Sequence, residues 1–139
     1  MPMSATILEK DQYETLYWAS YSSLLSCLWA LYRGHSHLAL VPGSVFLSSI
    51  NYWRNPVEGT WRRYIDMGVV QADLFYQLLM TTRAQYALPY YILTGLGALA
   101  FPLGVYYYHK KEYWASTYAH MMLHVLANIG NVVLYWGAV

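Results

Sequence analysis

Residues 116–131 read Ser-Thr-Tyr-Ala-His-Met-Met-Leu-His-Val-Leu-Ala-Asn-Ile-Gly-Asn and continue into further apolar sequence up to residue 137. About 20 predominantly apolar residues suffice for a helix to cross a bilayer, and this segment meets that length. Within it, Ser116, His120, His124 and Asn128 recur every fourth residue and so share one face of the predicted helix. Because polar groups are costly in hydrocarbon, this face is expected to meet other helices, a water-filled cavity or a metal ion.

The composition of the whole chain agrees with a membrane location. Of 139 residues, 58% are hydrophobic and 11% are charged, whereas soluble domains carry about 25% charged residues. The 16 tyrosines and 6 tryptophans are residue types that concentrate where a bilayer meets water. A net charge of +1 without a dense basic run argues against a nucleic-acid partner, and the single cysteine excludes an internal disulfide.

Four further segments resemble the last one in length and hydrophobicity. The five predicted spans are 13–32, 37–53, 64–81, 86–108 and 114–137. The loops between them are short, so consecutive spans are expected to run up and down as neighbours. We therefore predict one all-α domain over residues 1–139, a polytopic transmembrane helix bundle. Residues 1–12 lack the basic and apolar regions of a signal peptide, so no cleavable targeting segment is expected.

The basic residues are distributed unevenly between the two ends of this predicted bundle. Six of the eight lie at the end that carries the N-terminus, and Arg33 and Arg83 lie at the other. The positive-inside rule then places the N-terminus on the cytoplasmic or matrix side and the C-terminus opposite. From size alone, the mitochondrial inner membrane is the first location to test.

Other predicted spans also carry polar residues at helical spacing. These residues are Glu14, Ser22 and Ser26 in the first span, His37, Ser44, Ser48 and Asn51 in the second, and Asp66, Asp73 and Gln77 in the third. Since helices in a bilayer turn polar side chains toward each other, the faces of the second, third and fifth spans are expected to converge. Ionisable groups inside a membrane are functional candidates by default.

The histidine pair in the last span has several interpretations. His120 and His124 are one turn apart and could share a metal ion such as zinc, with Asp66 as a third ligand or a base. They could also contact a haem or a quinone. The alternative is structural, because buried polar groups most often satisfy each other.

A segment rich in tryptophan and arginine surrounds the loop between the second and third spans. Its residues are Trp53, Arg54, Trp61, Arg62 and Arg63. We expect them to form a belt at the membrane surface, where tryptophan anchors depth and arginine meets lipid phosphates. Alternatively, Arg62 and Arg63 clamp a phosphate or carboxylate group. Arg63 is also spaced to pair with Asp66.

Ala100 and Gly104 form a pair of small residues one turn apart in the fourth span. Small residues let two helix backbones approach closely, so this pair predicts a helix contact. The alternative is the ordinary tolerance of glycine and proline in membrane helices.

These polar residues resemble a motif of the CREST membrane hydrolases, which include alkaline ceramidases and progestin and adiponectin receptors. The resemblance rests on Ser48 or Ser49, Asp66, His120-xxx-His124, and the Gly130 and Tyr135 that follow. It implies a zinc site for amide hydrolysis in lipids, with zinc on the two histidines, Asp66 as base and Ser48 stabilising the oxyanion. The family has seven spans and a further histidine after the serine, where this chain has Tyr52 or Trp53. A descendant that lost or rebuilt its metal site would show this pattern.

Three functions from different classes follow. The first is a non-catalytic accessory or structural subunit of a larger membrane complex, such as an organellar energy-transducing complex, with membrane lipids and other membrane subunits as partners. The second is a CREST-like zinc-dependent lipid amidase or esterase, which would make the protein an enzyme. The third is a small transporter or a proton path along Asp66, Asp73 and the histidines.

Overall fold

The computed structural model describes residues 6–139, so the expectation about a targeting segment lies partly outside the described residues. Its helices are α1 (Lys10–Ala19), α2 (Tyr21–Tyr32), α3 (Ser36–Trp53), α4 (Trp61–Met80), α5 (Ala87–His109) and α6 (Tyr113–Trp136). The range 6–139 contains no strand. The predicted all-α class is therefore confirmed.

Four of the predicted spans correspond to single helices. The bounds of α3, α5 and α6 lie close to those predicted, and α4 begins at Trp61 rather than at residue 64. The first predicted span, 13–32, is instead two helices that meet at Ser20. The hydroxyl of Ser20 donates to Leu16 O at 2.8 Å, and hydroxyl bonds back to the preceding turn tend to bend helices.

One end of the bundle joins the loop between α2 and α3 to the C-terminal residues. Arg33 Nη2 donates to Trp136 O at 2.6 Å, and His35 Nε2 lies 3.1 Å from Gly137 O. The loop between α4 and α5 meets the same segment, because Gln85 N donates to the backbone oxygen of residue 138. Three chain segments thus close this end.

The opposite end, here called the basic end, joins the segment before α1 to two other loops. Ile7 N donates to Pro56 O at 2.9 Å. Ile7 also lines a cavity with His109, the last residue of α5 before the turn to α6. This end carries Lys10, Arg54, Arg62, Arg63, Lys110 and Lys111. The loops therefore alternate between two ends, as their short lengths predict.

The helices α5 and α6 form the most extensively packed pair, and small residues permit their approach. A Cβ atom at Gly97 would lie 3.4 Å from Leu123 O, and one at Gly104 would lie 3.4 Å from Ser116 O. Ser116 Oγ also donates to Gly104 O at 2.8 Å. Gly104 and the buried Ala100 thus lie on the face of α5 that meets α6.

Burial in this bundle is inverted relative to a soluble protein. Within residues 6–139, 15 buried side chains are polar or charged and 13 are hydrophobic, so the interior is not a purely apolar core. Many large apolar side chains are exposed instead. Several exposed aliphatic side chains lie in the middle of the helices, including Leu25, Leu47, Leu96, Leu99 and Val125, and several exposed aromatic ones lie near the ends, including Tyr32, Trp61, Tyr106, Trp114 and Trp136.

By length and composition, α5 is the one helix in the described range that qualifies as a membrane span, with a mean hydropathy of 1.5. The polar residues of α4 and α6, among them Asp66, Asp73, His120 and His124, lower the hydropathy of those helices. A single qualifying helix supports a membrane location only weakly. The five predicted spans are therefore not confirmed by composition.

Candidate functional site

Asn128 lies at the centre of the polar interior. Its Oδ1 accepts a bond from Ser26 Oγ at 2.7 Å, and its Nδ2 donates to Ser22 Oγ at 3.0 Å and to Ser23 Oγ at 3.2 Å. The same nitrogen donates to His124 O at 2.7 Å. An unsatisfied buried polar group costs about 1–3 kcal/mol, so the serines of α2 stabilise this amide and tie α2 to α6.

Gln77 extends the network from α6 to α4 and α5. Its Nε2 donates to Tyr90 OH and to Asn131 Oδ1, both at 2.8 Å. Its Oε1 accepts a bond from Tyr135 OH. All four side chains are buried. The predicted convergence of polar faces from α4 and α6 thus occurs around Gln77.

A second polar cluster lies between α3 and α4. Ser48 Oγ and Ser49 Oγ donate to Asp66 Oδ1 at 3.2 and 3.1 Å. Further along the same two helices, Ser44 Oγ donates to Asp73 Oδ2. Ser48 and Asp66 are therefore adjacent, which is the neighbourhood that the CREST resemblance implies.

Three residues of the polar faces predicted for the first two spans take no part in these clusters. His37 and Glu14 are exposed, and Glu14 lies 3.8 Å from the Lys10 ammonium. The side chain of Asn51 accepts hydrogen bonds from Arg54 at the surface. The polar faces of the first two predicted spans are therefore shorter than their sequence spacing predicts.

The histidine pair lies on the inner side of α6. The ring centroids of His120 and His124 are 5.1 Å apart, and the ring of Trp53 packs 5.0 Å from His120. His124 is buried, and within the described chain its Nε2 has no hydrogen-bond partner. Orphaned buried nitrogens are uncommon, and water or a ligand is the usual means of satisfying them.

The residues around this pair do not complete a zinc site. A catalytic zinc takes three protein ligands, and residues 6–139 hold no group of three His, Cys, Asp or Glu side chains that could bind a metal ion. Asp66 is bonded to the serines of α3. Tyr52, which stands where the family's further histidine is expected, accepts a bond from Arg63.

The predicted interfacial belt divides into exposed and buried residues. Arg54 and Trp61 are exposed. Trp53 and Arg62 are only 5% and 8% exposed, so the expectation that these two face lipid is corrected. Arg62 donates to two backbone oxygens at the carboxyl end of α3, at 3.0 and 2.8 Å, where the helix dipole favours a cation.

Arg63 is half-buried and has a different set of neighbours. Its Nη1 donates to Tyr52 OH at 3.2 Å, and its guanidinium carbon lies 5.9 Å from the centre of that ring. The predicted pairing with Asp66 is wrong, because within residues 6–139 the one ion pair closer than 4.0 Å joins Lys10 to Glu14. In the described structure, Arg63 therefore has hydrogen-bond donors that no carboxylate satisfies.

Two cavities border the histidine pair. The central cavity, of about 110 Å³, lies among α2–α6, and its lining includes Asp73, Gln77, Thr94, His124 and Asn128. The end cavity, of about 140 Å³, lies at the basic end, and its lining includes Trp53, Glu58, Arg63, Tyr108 and His120. Each histidine thus belongs to a different cavity.

Helical periodicity does not indicate either cavity. It does not identify Glu58 as a site residue either, because Glu58 lies in an irregular loop.

No protein-family model, no curated protein and no solved structure matches this chain. The CREST resemblance therefore stays a hypothesis that depends on the arrangement of Ser48, Asp66 and the two histidines.

Proposed function

We propose that this protein is a multi-pass integral membrane protein. In this proposal α1 and α2 together form one membrane span, and α3, α4, α5 and α6 each form another. The observation that carries the proposal is the inverted burial, with hydrogen-bonded polar side chains inside and aliphatic side chains outside. Hydrocarbon stabilises an apolar exterior and penalises polar groups that lack partners. Exposed aromatic side chains near both ends correspond to the two interfacial belts of such a protein.

Within the membrane, we assign the chain the role of a non-catalytic accessory subunit of a larger complex. The polar residues support this role, because most of them bond to one another. Asn128 and Gln77 each connect helices through their amides. The chain has a mass of 16.1 kDa, and its helices leave broad apolar faces for lipids and other subunits. An organellar energy-transducing complex of the inner mitochondrial membrane is the first host to test.

The size of the native particle tests this role. The protein is extracted from its own membrane in a mild detergent, and the particle is separated by native electrophoresis or gel filtration. We expect a particle much heavier than the 16.1 kDa chain, with the same partners in each preparation. A protein that runs alone, and whose deletion leaves every large membrane complex intact, would overturn the proposal.

A CREST-like lipid amidase or esterase is the second candidate, and the contact of Ser48 with Asp66 at 3.2 Å favours it. Zinc in such an enzyme would need a ligand besides His120 and His124. The test is turnover of a ceramide or ester lipid by the purified protein, compared with Asp66→Asn. Turnover that is lost in this variant would support the enzyme, and equal signals from both proteins would refute it.

A further inference from the structure

We propose that the end cavity binds the headgroup of a zwitterionic phospholipid, with the phosphate at Arg63 and the ammonium group at Glu58. The inference rests on the membrane location proposed above. It adds the position of a binding site, the class of lipid that binds there and the residues that select this lipid.

One side chain of the cavity wall offers free donors to a phosphate, and the same wall holds a second donor that is fully buried and has no partner within the described chain. Arg63 lines the cavity, and in the described chain no carboxylate approaches it within 4.0 Å. Trp53 lines the same cavity and is 95% buried, and its indole nitrogen has no acceptor among residues 6–139. A guanidinium matches the oxygen geometry of a phosphate, and an indole N–H can only donate. Arg63 therefore presents the cavity with donors that no residue of the described chain uses.

The charge at the rim selects a zwitterion over a simple anion. Glu58 also lines the cavity and is exposed, yet its carboxylate does not approach the guanidinium of Arg63 within 4.0 Å. One positive and one negative side chain that remain apart complement a ligand with both charges. Glu58 would repel the headgroup of an anionic lipid, whereas it would attract an ammonium group. The aromatic rings of Trp53 and Tyr108 in the same wall are further favourable neighbours for a quaternary ammonium.

The position of the cavity agrees with a lipid rather than a soluble phosphate compound. It lies at the basic end of the bundle, where the headgroup region would be under the proposed membrane placement. The rest of its wall is largely apolar and includes Leu16, Phe101 and Val105, which lie further than Arg63 from the helix ends at the basic end. This wall suits the first carbons of acyl chains. A cavity with a charged rim and an apolar depth thus has the polarity of a phospholipid.

Binding is measured by native mass spectrometry on delipidated protein in detergent, titrated with phosphatidylcholine, phosphatidylethanolamine or phosphatidylglycerol. We expect the wild type to prefer the two zwitterionic lipids. Arg63→Gln should weaken binding of all three lipids about tenfold, since a charge-assisted hydrogen bond is worth roughly that factor. Glu58→Gln should keep binding and shift the preference toward phosphatidylglycerol. Arg54→Gln, which alters an exposed arginine bonded to Asn51, is the matched control and should bind as the wild type does.

Several outcomes would overturn the site. Equal losses in the Arg63 and Arg54 variants would indicate ordinary lipid adhesion at the surface. Tighter binding of phosphatidylglycerol than of the zwitterionic lipids by the wild type would contradict the role of Glu58. Because Glu58 is exposed, its replacement is not expected to impair folding. Inorganic phosphate or glycerophosphocholine that displaces the lipid at equal concentration would identify a soluble ligand instead. If the protein leaves its native membrane without detergent, the membrane location itself fails, which separates the two proposals.

Discussion

His120 and His124 lie with ring centroids 5.1 Å apart, yet His120 lines the end cavity and His124 lines the central cavity. Two histidines that share a metal ion each direct a ring nitrogen toward that ion. Here the pair forms part of the partition between two cavities, and Trp53 packs against the outer ring. This arrangement favours the structural interpretation of the pair over the shared zinc site.

Metal analysis tests that interpretation. We expect protein purified without chelators to contain well below one zinc ion per chain, because a third ligand is missing from the described residues. His124→Ala should leave the metal content unchanged. His37→Ala, at an exposed position, is the control for adventitious binding. One zinc per chain that disappears in His124→Ala and persists in His37→Ala would restore the metal site.

Replacing Asn128 tests the polar network between α2 and α6. Asn128→Leu should lower the free energy of unfolding by about 1–2 kcal/mol, because the hydroxyls of Ser23 and Ser26 lose their partner. The measurement is reversible unfolding in mixed detergent micelles, followed by circular dichroism. Asn51→Leu is the control, since the side chain of Asn51 bonds only to Arg54 among the described residues. Equal stability of the two variants would show that the network contributes nothing.

The contact between α5 and α6 is tested by a pair of glycines on the same helix. Gly104→Leu should destabilise the protein by about 1–3 kcal/mol, the usual effect of overpacking, because Cβ alone already approaches Ser116 O to 3.4 Å. A Cβ atom at Gly95 would meet no atom of the described chain within 4 Å, so Gly95→Leu should be nearly neutral. Thermal unfolding in detergent compares the two. A larger loss from Gly95→Leu would contradict the assigned packing face.

Asp66 tests whether an acceptor oxygen on α4 stabilises the contact with α3. Asp66→Leu should destabilise the protein by about 1–3 kcal/mol, because Ser48 and Ser49 lose their acceptor. Asp66→Asn keeps an acceptor oxygen for the two serines and should therefore destabilise the protein less than Asp66→Leu does. Stability is read from chemical unfolding of the three proteins. Equal destabilisation by leucine and asparagine would mean that the negative charge, rather than the acceptor oxygen, stabilises the contact.

The sequence determines the helices of this protein more closely than their arrangement. The length of the apolar segments predicted the positions of α3, α5 and α6, because a long apolar segment between polar loops has few alternatives to a helix. It missed the interruption at Ser20, which depends on a hydroxyl bond to Leu16 that periodicity does not describe.

The site was predicted less well, for a related reason. Helical spacing tells which residues share a face, and it grouped Asp66 with the histidines as one interior. The structure instead bonds Asp66 to α3 and Asn128 to α2, because partner choice depends on which helices pack together. Composition likewise assigned Trp53 and Arg62 to the surface by residue type, whereas the packing of α3 against its neighbours buries them.

The loops of this protein are proposed to alternate between the two sides of a bilayer, and chemical labelling of single introduced cysteines tests this most directly. Cys27 is the single cysteine of the chain, so single cysteines can be introduced into a Cys27→Ala background at the exposed positions Asn55, Thr82, Lys110 and Ala138. An impermeant maleimide is then added to sealed vesicles of known orientation. We predict that the Asn55 and Lys110 positions react from one side, and that Thr82 and Ala138 react only from the other. Reaction of all four positions from the same side would contradict the multi-pass account.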